Sequence, residues 1–184
     1  MVKATYNQAL TKTPVLRGGR TIDESMAAIG RSTDGSSSTN QDVPLVIRKV
    51  FLVRTPVMLA FDYFTHDIDQ WWPVSAHSAV CGLERQPGGR IYEIGADDRV
   101  YVWGHVVDWL PPLHLRLAWT RDQDDDIGTD VQIDFSPNGS DRTRVEFLHR
   151  GWKPHQMKRY IDYRRYWDAV MVGGYQDYVR HRRP

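Results

Sequence analysis

Three segments of this 184-residue chain alternate apolar and polar side chains with a period of two. Leu113, Leu115, Leu117 and Trp119 alternate with His114, Arg116 and Ala118; Val131, Ile133 and Phe135 with Asp130, Gln132 and Asp134; Val145 and Phe147 with Arg144 and Glu146. Successive side chains of a strand point to opposite faces, so each segment has one wet face and one dry face. A last segment, about Lys158 to Val179, changes to the helical period. It sets Tyr163, Trp167, Val170, Met171, Gly174 and Tyr178 on one side, and Asp162, Arg165, Gln176 and Arg180 on the other. An antiparallel sheet with one dry face, followed by one long amphipathic helix, must bring those two surfaces together. That predicts a segregated α+β fold.

The rest of the chain supplies the parts that such a fold needs. Leu45 to Val53, rich in Val, Ile, Leu and Phe, predicts a first strand. Pro56 presets a helical φ and suits a first helical turn, and Val57 to Phe64 repeats apolar residues at helical spacing. Ile68, Trp71 and Trp72 continue a second short helix that Pro73 stops. Pro87-Gly88-Gly89, Asp97-Asp98, Pro111-Pro112 and Pro137-Asn138-Gly139 fall at hairpin spacing and divide the middle into an antiparallel meander. The strand from Arg99 to Trp109 is apolar on both parities, so its inward side stays open. Residues 1 to 43 hold few large apolar side chains and end in a Ser/Thr/Gly-rich run, Arg31 to Asn40. They predict a disordered polar tail ahead of one folded domain of residues 44 to 184.

Composition narrows the function classes. With 41% hydrophobic and 26% charged residues, and no run near the roughly 18 apolar residues of a membrane span, the chain reads as water-soluble. A single cysteine, Cys81, excludes an internal disulfide, and the start of the chain lacks the apolar core of a signal peptide. A cytoplasmic location is expected. Residues 44 to 141 carry eight Lys/Arg and fifteen Asp/Glu, residues 142 to 184 eleven and four. A basic helix beside an acidic sheet of the same domain accounts for this better than a polyanion surface. Lys158-Arg159, Arg164-Arg165 and Arg180-His181-Arg182-Arg183 accordingly read as a solvated helix face and tail, and nucleic acid is not an expected partner. His66-Asp67-Ile68-Asp69 has no companion at metal-ligand spacing, and Asp122 to Asp126 reads as a solvated hairpin tip. No GxSxG, HExxH, P-loop or dinucleotide fingerprint occurs, and Cys81 lacks an activating partner. Neither a metal nor a cofactor is expected.

A series of short motifs resembles a known superfamily. In chain order they are Trp71-Trp72-Pro73, Pro87-Gly88-Gly89-Arg90 with Tyr92-Glu93, Trp103-Gly104-His105-Val106, and Pro111-Pro112 leading to Leu117-Ala118-Trp119. Thr129 to Phe135, Thr143-Arg144-Val145 with Leu148-His149-Arg150-Gly151, and Trp167 complete the series. Singly each is weak; their order and spacing, over Ile47 to Tyr178, resemble the START-like (SRPBCC, Bet v-like) superfamily, in the branch of the activator of Hsp-90 ATPase. The resemblance implies a helix-grip fold: a curved antiparallel sheet wrapped around a long C-terminal helix, two short helices after the first strand, and a deep cavity between sheet and helix. It implies binding of hydrophobic small molecules, with polyketide cyclases and chaperone activators among its members. One fold hosts many functions, so activity has to be argued from the site.

The candidate cavity residues are Phe61, Trp103, Trp119, Ile133, Phe147, His149, Trp167, Val170, Met171 and Gly174. His149 shares the dry face of Val145 and Phe147, where an imidazole can bond a ligand or move a proton, or simply bond backbone as a structural histidine. Trp119 suits stacking on a flat ligand or plain core packing, and Trp71 and Trp72 suit a cap on the core. Glu93 lies on a strand of mixed parity and reads as exposed. Gly173-Gly174 stands inside the last helix, where each glycine costs up to about 1 kcal/mol relative to alanine. Either the bare backbone admits a ligand or a close contact with the sheet, or the helix ends or kinks there. The expected function is non-catalytic binding of a small hydrophobic, lipid-like molecule. The alternatives are a chaperone-associated interaction module, and a cyclase- or aromatase-like enzyme with His149 as its acid or base.

Overall fold

Ile47 lies opposite His149, and Val53 opposite Thr143, so the first strand closes onto the last. The computed structural model describes residues 44–73, 78–120 and 128–182. The expected tail over residues 1–43 and the hairpin tip at Asp122 to Asp126 lie outside the described residues. The strands are β1 (Ile47–Val53), β2 (Ser78–Leu83), β3 (Arg90–Gly95), β4 (Val100–Leu110), β5 (His114–Trp119), β6 (Thr129–Pro137) and β7 (Thr143–Arg150). They form one antiparallel sheet in the order β1-β7-β6-β5-β4-β3-β2. Two short helices follow β1: α1 (Val57–Thr65) and α2 (Ile68–Trp71). Pro56 stands just before α1 with an extended backbone (φ −58°, ψ 152°), not inside its first turn as expected; its carbonyl takes the first helical bond, from the Ala60 N–H at 2.9 Å. Among the described residues no helix is long and apolar enough to cross a membrane.

The alternating segments build the concave face. Register sets Leu115 opposite Ile133 and Ile133 opposite Phe147, then Leu117 opposite Val131 and Val131 opposite His149. All of these side chains are buried, as the period-two pattern requires. The ambiguity of β4 has a physical cause. Its register shifts against β3 between Ile91 and Tyr92, and against β5 between Val106 and Asp108. Each bulge inserts a residue and reverses the parity that sequence would assign, so Trp103, Gly104 and Val106 are all buried.

The C-terminal helix is one continuous rod of three pieces, entered through a 3-10 turn at Pro154–Gln156. These are α3 (Met157–Asp168), a π segment (Ala169–Gln176) and α4 (Asp177–His181). The sheet curls around it. The wider turn of the π segment corrects the expected apolar side: an α-helical period puts Gly174 and Tyr178 inward, whereas the buried row runs Trp167, Met171, Tyr175, Val179, in steps of four. Tyr175 donates its hydroxyl to the Ala60 carbonyl at 2.7 Å and fastens the helix to α1. The free edge of β1 is covered in the same way. Tyr160 donates to the Val46 carbonyl, Gln176 donates to the Leu52 carbonyl, and Lys49 pairs with Asp168.

Candidate functional site

Where the concave face meets the helix, an apolar void of about 10 Å³ remains, room for about one water. Among the described residues, side chains occupy most of the junction where the resemblance implies a deep cavity. Four tryptophans fill much of it as a closed ring: Trp72 to Trp103 at 5.1 Å between centroids, Trp103 to Trp119 at 5.9 Å, Trp119 to Trp167 at 5.3 Å, and Trp167 back to Trp72 at 6.0 Å.

The structure distributes the candidate residues over three places. Trp119, Ile133 and Phe147 from the sheet, with Trp167 and Met171 from the helix, line the void. Trp103 is buried and stacked behind it, between Trp72 and Trp119. Phe61, Val170, His149 and Gly174 stand away from the lining. Phe61 packs edge-on against Trp109 and Phe135. Gly174 faces the end of α2: a Cβ there would stand 2.6 Å from the Trp71 carbonyl oxygen, so the bare backbone lets the helix lie on α2. Gly173 has open space around it, and the helix neither ends nor breaks at the pair. Sequence reading missed Trp72, Ile91 and Leu83, which also line the void. The signal for Ile91 was available in the mixed parity of β3, and the structure resolves it.

That resolution also corrects Glu93. Ile91, Glu93 and Gly95 face inward, and Glu93 is 2% exposed, directly opposite buried Cys81. The aromatic bulk of Tyr92 fits the outer face because its ring lies over Gly82, where a Cβ would meet it at 2.5 Å. Burial, with Glu93 nearby, pushes the Cys81 thiol up, which leaves it inert as a nucleophile.

His149 is fully buried, and both ring nitrogens are used. An indole N–H only donates, so Trp167 Nε1 at 2.8 Å fixes Nδ1 as an acceptor. The neutral ring then carries its proton on Nε2 and donates to Thr129 Oγ1 at 2.8 Å. Thr129 in turn reaches the Trp119 carbonyl at 3.4 Å, while Trp119 Nε1 donates to Tyr163 Oη at 3.0 Å. Burial depresses the His149 pKa to about 3. Protonating Nδ1 would also set a donor against the Trp167 donor. This histidine stands as a neutral clasp between helix and sheet.

The opposite side of the tryptophan ring has no such clasp. Among the described residues the buried Nε1 atoms of Trp72 and Trp103 meet no acceptor, and neither does that of Trp152. A buried donor left unpaired costs roughly 1–3 kcal/mol. Near the chain end, Arg182 lies 3.5 Å from Asp67 and 4.8 Å over the Tyr178 ring, and Arg180 pairs with Asp177, so part of the basic run is spent on packing. Asp67 also accepts from Tyr178 and pairs with His66.

The architecture recurs in solved structures. Protein MLL2253 from Mesorhizobium loti superimposes with a TM-score of 0.60 at 17% identity, over 75% of this chain and 99% of that one. The chain has a START-like (SRPBCC) fold. Protein NE0264 from Nitrosomonas europaea shares the START-like arrangement at a TM-score of 0.58 and 15% identity, over 75% of this chain and 95% of its own. An anthrahydroquino-gama-pyrone synthase, Txn09, aligns at 32% identity over 65% of this chain and 88% of its own, but at a TM-score of 0.45 it superimposes too loosely to carry an argument about the site. No protein-family model and no curated protein matches the sequence.

Proposed function

We propose that this START-like protein binds a small, largely apolar molecule between the concave face and the π segment of its C-terminal helix. The observation that carries the reading is the void at that junction, walled by apolar side chains from both layers. A ligand of several heavy atoms enters by displacing walls. The walls divide into fixed and yielding ones: Trp119 and Trp167 are held by side-chain hydrogen bonds, whereas the Trp72 indole N–H meets no acceptor among the described residues and Met171 is an unbranched chain on the π segment. The chaperone reading draws no observation from the fold and is not carried forward.

The catalytic alternative moves from His149 to Glu93, because Glu93 is a buried carboxylate on the concave face while His149 is neutral and doubly bonded. It predicts turnover of a bound molecule that Glu93→Gln abolishes without weakening its binding.

The test of the binding reading is native mass spectrometry of gently purified protein, joined to melting curves with a panel of two-ring aromatic and short-chain lipophiles. A co-purifying small molecule, or a rise in Tm of about 5 °C with a saturating probe, is expected. No bound mass and no shift across the panel would overturn the reading.

A further inference from the structure

The structure assigns a polar end to this site: we infer that the indole N–H groups of Trp72 and Trp103 receive a neutral hydrogen-bond acceptor, such as a ketone or ether oxygen, on an otherwise flat and apolar ligand. The inference rests on the binding reading above and adds a ligand class to it. Trp72 and Trp103 are 4% and 3% exposed, and among the described residues neither Nε1 finds an acceptor. Their rings are neighbours, 5.1 Å apart and inclined at 40°. Trp72 lines the void, and Trp103 lies against Trp72 and Trp119, both of which line it. An indole N–H has no acceptor capacity, so only an acceptor can complete the pair.

The surroundings select among acceptors. A ligand carboxylate or phosphate would have to shed its water among apolar walls, whereas a neutral oxygen gives up far less. The body of the ligand lies among aromatic rings and aliphatic side chains, which favours a flat apolar frame.

Trp152 supplies an internal control. It is buried and its Nε1 is equally without an acceptor among the described residues, but its ring neighbours, His149, Tyr160 and Tyr163, do not line the void. The experiment is a titration of protein carrying 15N-tryptophan with two probes of matched shape, 2-acetylnaphthalene and 2-isopropylnaphthalene, followed by the indole N–H resonances. The expected result is that the ketone binds about fivefold or more tighter than the hydrocarbon, the worth of about one net hydrogen bond. The Trp72 and Trp103 N–H signals move downfield with the ketone alone, and the Trp152 signal stays. Trp72→Phe with Trp103→Phe then brings the ratio of ketone to hydrocarbon affinity to about one, whatever it does to either affinity alone; the wild-type spectra decide the matter if that variant folds poorly. Equal affinities with unmoved Trp72 and Trp103 signals overturn the acceptor and leave the binding reading standing. Failure of both probes to bind overturns both.

Discussion

The two sides of the interior use the same residue type and differ in what its N–H meets. On the side of β5, β7 and α3, Trp119 and Trp167 are fixed by Tyr163 and His149, and the bonds run on through Thr129 to the strand backbone. On the side of α2 and β4, Trp72 and Trp103 are equally buried and equally surrounded by rings, yet among the described residues their donors end on nothing. Ring packing is weakly directional, and it accepts rotations that a hydrogen bond refuses. The first side therefore specifies the grip of the helix on the sheet. The second side is the one that can rearrange, and it is where a ligand gains most by supplying what is missing.

That contrast can be broken at its fixed side first. His149→Ala empties part of the core and strands Trp167 Nε1, so urea unfolding should show a loss of about 3–5 kcal/mol; a loss below about 1 kcal/mol would mean that the clasp holds nothing. A matched pair sharpens the contrast. Trp167→Phe and Trp72→Phe remove the same indole from two buried positions, but only the first orphans His149 Nδ1, so it should cost roughly 1–3 kcal/mol more. Equal losses would make the two sides alike.

The neutral clasp also sets a pH dependence. The unfolded chain takes up a proton at the ordinary histidine value of 6.5, and folded His149 does not until about 3. Stability contributed by the neutral ring is complete above pH 6.5 and falls as pH drops through that window, by about 1.4 kcal/mol per pH unit. Unfolding curves of His149→Gln between pH 6.5 and 5 should lack that slope; an unchanged slope assigns it elsewhere. The smallest effects lie in the helix. Gly174→Ala presses a methyl to 2.6 Å from the Trp71 carbonyl and should lose about 1–2 kcal/mol, while Gly173→Ala, with nothing within 4 Å, should gain up to about 1 kcal/mol. A gain at both positions in thermal melts would show that the helix does not lie on α2.

The parts legible in sequence are those governed by a single period. The dry faces of β5, β6 and β7 follow from alternation, and Trp119, Ile133, Phe147 and Trp167 reach the void because their elements are regular up to that point. Legibility fails where a residue is inserted into the period. Two bulges scramble β4 and hide the facing of Trp103, and the π segment shifts the buried row from Gly174 and Tyr178 to Tyr175 and Val179. Glu93 was misread because Tyr92 and Ile94 compete with it as inward candidates, and the Tyr92 ring lying over Gly82 decides between them. The small size of the void is a matter of summed side-chain volume, and the indoles without an acceptor among the described residues one of pairwise distances; neither is written in a hydrophobic pattern.

A crystal structure of the protein with 2-acetylnaphthalene tests the central claim most directly. The account predicts the ring system between the concave face and the π segment, its carbonyl oxygen about 3 Å from Trp72 or Trp103 Nε1, and the Trp167 to His149 and Trp119 to Tyr163 bonds intact. A probe seated on the outer face of the sheet, or one that breaks the His149 clasp while Trp72 and Trp103 stay in place, would contradict it.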